Sequence, residues 1–409
     1  MSELHALLAA LTLQAGYNAA LVALGAAILG IAGGGAGAFV FLRKRALVSD
    51  AISHATLPGV ALAFIVMVAV GGVGKWLPGL LAGSALSAAL GLLIVEWITR
   101  RTRLLEDAAI GAVLSVFFGF GIALLTVIQT MSSGRQAGLG TFLLGSTAGM
   151  LIGEAWTIAG AGAIAAMLVF TLRRPMTLVA FDPGFAASTG VNVRHADLAI
   201  LALALIVTVI GLKIVGLILI VALLIIPPVA ARFWTDRVGW LIVIAAGIGG
   251  VAGYVGAALS AVFERMPTGP IIVLVAFALF VASLLFSPLR GVLAIALRQW
   301  QFQHRVHVRQ GLLALARREP IYDRLTLRVL RRTGCIRRDG VATLAGRAAA
   351  VRALHDEARW QQARRMAALN PAVERYDGLT AIEELLTADQ IADIDSRLAA
   401  NATLVGAPG

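Results

Sequence analysis

Apolar positions along the chain come in long unbroken blocks, not at the alternating or 3.6-residue spacing of half-buried strands and surface helices. The blocks cover about residues 17–42, 52–71, 77–99, 108–130, 139–172, 196–212, 214–231, 239–263 and 269–288. Each can cross a hydrocarbon core of about 30 Å, so the pattern predicts an all-α polytopic membrane protein with eight or nine transmembrane helices. The count turns on 196–231, where Lys213 and Gly216 interrupt one run. That run is either two short helices or one helix followed by a broken, partly re-entrant segment. Block 139–172 is longer than one span requires and carries Gly145, Gly149 and Gly153 in its first half. Near residue 298 the pattern ends and Arg, Glu, Asp and Gln take over, which predicts a transmembrane domain at 1–298 and a soluble domain at 299–409.

Composition agrees with a membrane protein: 59% hydrophobic, 14% charged and a mean hydropathy of +0.88. The net charge of +12 divides into 17 basic against 10 acidic residues over 1–299 and 17 against 12 over 300–409. Under a nine-span count, thirteen of the first group, among them Arg43, Lys44, Arg45, Arg100, Arg173 and Arg232, fall on one side of the membrane. Only Lys75, Arg135, Lys213 and Arg265 fall on the other. The bias places the first side in the cytoplasm, the N-terminus outside and the C-terminal domain inside. With loops of this kind, a high pI is no argument for nucleic acid. The single cysteine, Cys335, excludes an intramolecular disulfide and a cysteine-cluster metal site. The N-terminus lacks a basic n-region and a small-residue cleavage site, so the first apolar block is read as retained. Small-xxx-small spacings at Gly30/Gly34, Gly33/Gly37 and Gly249/Gly253 permit close helix approach, within a compact bundle or at a dimer face.

The densest chemistry lies between Arg43 and Gly59. If this stretch is helical, Asp50 and His54 stand one above the other on one face. A carboxylate and an imidazole form a serviceable pair for Zn²⁺ or Mn²⁺. Pro58 has no N–H for the His54 carbonyl, which weakens the backbone where a cation could use a free oxygen; Gly59 follows it. The same spacing also suits a bland reading in which Ser49 or Asp50 caps a helix and His54 bonds a neighbouring one. A second segment, Asp182-Pro183-Gly184, reads as a helix start, Phe185 to Thr189 as a short helix and Gly190 as its stop. Gly71-Gly72-Val73-Gly74-Lys75-Trp76 lacks the first glycine and the Ser/Thr of a nucleotide-binding loop. ATP hydrolysis is therefore not expected of this chain. Gln129, Glu154 and Tyr254 read as helix-end or interhelical hydrogen-bonding groups.

The run Leu47 to Phe64 resembles the signature of the zinc/manganese/iron ABC transporter permeases. Further segments match in order: Glu106 to Gly111, Phe142 to Ser146, Phe181-Asp182-Pro183 through Gly190-Val191, Lys213 to Gly216 and Leu224 to Arg232. The resemblance covers about residues 15–290. It implies a permease subunit of an ATP-binding-cassette importer in a bacterial inner membrane. The cargo would be a divalent transition-metal ion, held briefly by Asp50 and His54 and not as a tightly bound cofactor. It implies as partners a separate ATP-binding ATPase subunit, an extracytoplasmic metal-binding protein and a second permease copy. It also implies that Phe181, Asp182, Pro183, Phe185 and Gly190 form the helix that couples to the ATPase. In the tail, a basic helix from Leu325 to Arg332, a stop at Gly334, a short hairpin turning at Arg338-Asp339-Gly340 and a helix from Thr343 resemble the winged-helix unit of metal-dependent repressors, which implies a small cytoplasmic α+β domain with a regulatory or interaction role. Residues 372–399 resemble the helical stretch that follows that unit. The tail offers His304, His307 and His355 but no dense ligand set, and Arg324, Arg328, Arg331 and Arg332 suit lipid or an acidic partner better than DNA. The competing readings are an ion-coupled secondary metal transporter, a permease for siderophores or other metal chelates, and a membrane-tethered transcription regulator. Manganese, zinc and iron are not separated by this ligand chemistry.

Overall fold

The computed structural model describes residues 3–72, 74, 76–130, 152–263, 266–366 and 373–405. The chain forms two compact units, Met1–Ala294 and Ile295–Gly409. The expectations at Gly145, Gly149, Arg135, Lys75, Arg265 and the Phe142–Ser146 motif lie outside the described residues.

The first unit is helical throughout. A short helix α1 (Glu3–Leu11), which the block pattern did not predict, precedes α2 (Tyr17–Leu42), α3 (Ala46–Ala69), α4 (Leu77–Arg101) and α5 (Glu106–Thr130). Then come α6 (Ile152–Phe181), α7 (Pro183–Ser188), α8 (Val193–Val215), α9 (Leu217–Trp234), α10 (Val238–Val262) and α11 (Thr268–Phe286). Among the described residues eight helices are long and apolar enough to span a membrane, and α9 is a shorter apolar one. At 196–231 the break is a single residue. Gly216 takes φ +83°, a left-handed conformation that glycine adopts without a Cβ clash, and it ends α8 and starts α9. Helix α9 carries Pro227 and Pro228 in its interior, and its Leu219, Ile220, Leu223, Leu224, Ala230 and Ala231 are buried.

Helices α2, α3, α8 and α10 are the most enclosed of the long ones, and α4, α5, α6 and α11 lie at the periphery. The centre is set by glycine. A Cβ at Gly30 would run into the Gly249 carbonyl, one at Gly34 into the Ala245 carbonyl, and one at Gly253 into the Ala26 carbonyl; Gly37 stands in the same relation to Leu224 of α9. The small-residue spacings are thus consumed inside one protomer, between α2, α9 and α10, and do not form an exposed dimer face. Tyr254 of α10 donates through its hydroxyl to the Leu11 carbonyl at 2.6 Å, which ties α1 to the bundle.

One end of the bundle is laced by ion pairs. Arg43, in the α2–α3 turn, makes a two-pronged pair with Asp197 of α8 at 2.8 and 2.7 Å and also donates to the Val179 carbonyl of α6 at 3.2 Å. Arg45 pairs with Glu106 at 2.8 Å, Arg100 with Glu96 at 2.6 Å, and Asp236 accepts from both Arg232 and Arg290 at 3.1 and 2.6 Å. The two-pronged Arg43–Asp197 pair fixes geometry as well as charge, so with Arg45–Glu106 it brings the α2–α3 turn, the start of α5 and the start of α8 to a common end, while Asp236 ties the α9–α10 turn to the segment after α11.

Helix α12 (Val292–Arg317) leads into the second unit, followed by α13 (Arg324–Arg332), α14 (Leu344–Ala363), a 3₁₀ turn at Ile382–Glu384 and α15 (Ala388–Val405). Asp323 caps α13 and Thr343 caps α14. Between them the chain reverses at Gly340, with Arg337 and Val341 bonded at 2.9 Å and one antiparallel bridge, Ile336 to Ala342. The hairpin expected at 338–340 is therefore a turn with one bridge and no strand among the described residues. Residues 373–387 contain turns and the 3₁₀ segment rather than continuous helix. Packing in this unit centres on Trp360, stacked on Tyr376 at 3.9 Å, with Arg359 held by Asp395 at 2.7 and 2.6 Å.

Two outcomes follow from this packing. Gly30→Leu drives a side chain into backbone and is expected to cost at least about 1–3 kcal/mol, read as a lower aggregation temperature of the detergent-solubilised protein; Gly247→Ala, where a Cβ meets nothing within 4 Å, should leave it unchanged. In the tail, Asp377 accepts from the Thr380 hydroxyl and from the Leu379 and Thr380 amides, which lowers its pKa to about 2. A depressed carboxyl stabilises the fold above its unfolded value of about 3.9 and loses that contribution as pH falls through 2. Amide exchange at Leu379 and Thr380, corrected for intrinsic rate, should rise between pH 4 and 2, and Asp377→Asn should remove the pH dependence.

Candidate metal path and coupling helix

Helix α3 begins at Ala46, so Asp50 lies one turn inside it and His54 two turns inside. The pair is about 6–12 Å along the helix from the ion-paired end. The helical register puts both on one face, with His54 Nε2 3.4 Å from Asp50 Oδ1. That separation exceeds a good N–H···O contact and equals the spacing of two ligands each about 2.1 Å from one tetrahedral ion. The His54 and Asp50 side chains are 21% and 39% exposed, so the pair is not sealed in the core.

Their surroundings are arranged around this face. The His54 ring stands edge-on to Phe118 of α5 at 4.9 Å, and its Nδ1 is buried with no hydrogen-bond partner. Asp197, Glu106, Glu96 and Asp236 each have an arginine, whereas His54 is the charged-group partner of Asp50 among the described residues. A small cavity of about 60 Å³ near Arg45, Glu96, Arg100, Glu106 and Asp197 holds matched charges of both signs and so does not resemble a cation site. Pro58 sits inside α3 without breaking it. A Cβ at Gly121 of α5 would lie 3.1 Å from the Pro58 nitrogen, and one at Gly59 would overlap the Gly83 carbonyl of α4, so neighbouring helices close on the proline turn. One turn away, Ser87 of α4 donates to the Ala55 carbonyl at 2.7 Å. No group of three or more His, Cys, Asp and Glu suited to a metal occurs among the described residues.

The second site is local in origin. Asp182 takes an extended conformation and its carboxylate accepts from the Phe185 amide at 2.9 Å; Pro183, preset for a first helical position, follows it. Helix α7 then runs for six residues and stops before Gly190, at φ +84°. The carboxylate and the glycine fix both ends of a helix too short to be stable alone. Phe181 and Phe185 are 63% and 56% exposed. The five residues named from sequence thus form one structure, a capped helix with two projecting aromatic rings. Tyr254 bonds α1 as its hydrogen-bonding reading required; Gln129 is exposed. What sequence reasoning missed was Arg43–Asp197, whose partners are 154 residues apart, and the aromatic wall at Phe118. Removing the cap by Asp182→Ala should cost about 1 kcal/mol locally, seen as faster amide exchange at Phe185 with the bundle unaffected.

Comparison with known proteins places these features in a lineage. Residues 17–287 match the family model described as ABC 3 transport family. The chain is 42% identical over 298 residues to the manganese transport system membrane protein MntC of Bacillus subtilis, covering 73% of this chain and 67% of that one. It is 38% identical to the zinc transport system membrane protein TroC of Treponema pallidum, over 71% and 95% of the two chains. Among solved structures, PsaBC from Streptococcus pneumoniae in complex with Fab superposes with a TM-score of 0.59 at 29% identity, covering 68% of this chain and 96% of that one. With the helical bundle, the Asp50–His54 face and the capped α7 all inside the matched region, the chain belongs to the ABC 3 transport family.

Proposed function

We propose that this chain is the permease subunit of an ATP-driven importer for a divalent transition-metal ion, manganese or zinc in the first instance, in a bacterial inner membrane. The observation that carries the cargo is the open Asp50–His54 pair, with an imidazole nitrogen left without a protein partner. Its relatives named for manganese and for zinc agree with a ligand set that accepts either ion. The ion arrives from an extracytoplasmic binding protein, rests on Asp50 and His54, and leaves toward the arginine-rich side when the helices around α3 repack. ATP binding and hydrolysis belong to a separate subunit. That subunit biases two packings of the bundle, and the permease supplies the path. No resident cofactor is required.

The coupling surface is α7. Two exposed phenylalanines on a rigid, capped turn are suited to a hydrophobic groove, and truncating such an anchor costs more than about 1 kcal/mol of binding. Phe181, Asp182, Pro183, Phe185 and Gly190 form this contact, with the arginine-rich end in the cytoplasm and the N-terminus outside. A second permease copy completes the transporter. The C-terminal unit is a cytoplasmic regulatory or interaction module of winged-helix type; the order α13, bridged turn at Gly340, α14 supports that reading. A carboxylate beside an imidazole, groups that bind a metal directly, argues for a bare ion taken from a donor protein, not a chelate.

Metal uptake by the reconstituted complex tests the cargo site. His54→Ala and Asp50→Asn are expected to lower uptake at least tenfold while ATPase assembly persists, and unchanged rate and ion preference in both would sink the assignment. Phe185→Ala should do the reverse, weakening ATPase binding about tenfold while leaving metal protection of the Asp50–His54 face intact. Uptake that survives ATP depletion but not collapse of a proton gradient would transfer the chain to the ion-coupled class.

A further inference from the structure

Helices α2, α6 and α10 enclose a groove of about 420 Å³ on the first unit. Its walls are apolar or backbone: Ile31 and Gly35 of α2, Gly162 and Val169 of α6, Ile242 and Ala246 of α10. Gly35 is buried, yet a Cβ placed on it would meet nothing within 4 Å. It is therefore the floor of an open space and not a packing contact like Gly34 beside it.

The one charged residue in this lining is Arg173. Arg43, Arg45, Arg100, Arg232 and Arg290 each have a carboxylate at 2.6–3.1 Å. Arg173, among the described residues, has instead the Phe170 ring, 4.6 Å below its guanidinium. Helix α6 has 30 residues and is about 45 Å long, against a hydrocarbon core of about 30 Å. Arg173 lies about 12 Å before its end at Phe181, on the side where Arg43 reaches the Val179 carbonyl. An unpaired guanidinium at that depth sits at headgroup level with an apolar groove running from it into the core.

We propose that this groove holds an acyl chain of an anionic glycerophospholipid from the leaflet on the arginine-rich side, with its phosphate on Arg173. The argument is charge complementarity joined to depth: the groove asks for an apolar chain ending in an anion, at the level where lipid supplies one. The inference is independent of which ion is carried.

The test is native mass spectrometry of the full-length protein in mild detergent with phosphatidylglycerol or phosphatidylcholine of matched chains. One phosphatidylglycerol per protomer should be retained with at least fivefold preference. Arg173→Gln should bring the preference near unity, and Arg174→Gln, at the exposed neighbour, should not. Gly35→Leu, which fills the floor, should abolish retention of both lipids without lowering the aggregation temperature. Equal retention by the wild type and Gly35→Leu would overturn the site. So would a Gly35→Leu protein whose lipid content is unchanged but whose protomer stoichiometry falls, since that result assigns the groove to a second copy. A preference that survives Arg173→Gln would overturn the headgroup contact.

Discussion

Helices α2 and α10 approach until backbone meets backbone, and the arrangement of the other spans depends on that contact. In a bilayer, side-chain burial brings little free energy from water because lipid tails are as apolar as leucine, so close packing of small residues supplies the cohesion instead. Gly30, Gly34 and Gly253 set the α2–α10 distance, and Gly37 brings α9 against α2 from a second direction. A central pair this close has no room for polar ligands. The candidate ligands Asp50 and His54 stand on α3, which packs against peripheral α4 and α5, where Gly59, Gly83 and Gly121 again allow near-backbone contact around Pro58. The same device that makes the core rigid at α2–α10 makes a tightly fitted but proline-interrupted wall beside Asp50 and His54.

Much of this was legible in the chain, for reasons that differ by element. The spans are readable because long apolar runs have few alternative solutions in a membrane, and α7 is readable because aspartate, proline and glycine each have one favoured place on a short helix. The Asp50–His54 pair needs only the helical repeat. The glycine pairs were half legible: their spacing announces close approach, but nothing in one helix says whether its neighbour belongs to the same copy. The α8–α9 break was ambiguous because Gly216 can end, bend or restart a helix, and its φ settles which. Helix α1 escaped because nine residues lack a span's length, and the 373–387 stretch because its polar residues suit turn or helix equally. Arg43–Asp197 could not be read at all, since arginine and aspartate are abundant at that end and their pairing is a property of the assembled bundle.

The arginine end differs from the ligand face in how its charges are spent. Asp197, Glu106, Glu96 and Asp236 each face an arginine, whereas Asp50 on α3 stands beside a histidine. The more exposed of these pairs, such as Arg290–Asp236, contribute little stability singly. Arg43–Asp197, Arg45–Glu106 and Arg290–Asp236 have their value in register, because they join segments that the sequence separates widely; Arg100–Glu96 and Arg232–Asp236 are local, four residues apart.

Gly216 has a mechanical meaning. It is both the last cap of α8 and the first cap of α9, so no slack loop separates a helix that touches α3 from one embedded among α2, α10 and α11. Any change in the angle between α8 and α9 must be taken up in the two backbone torsions of one residue or passed on to the helices packed around them. The joint therefore makes the angle between two enclosed helices a property of one backbone position, and the absence of a Cβ there is what admits its left-handed φ.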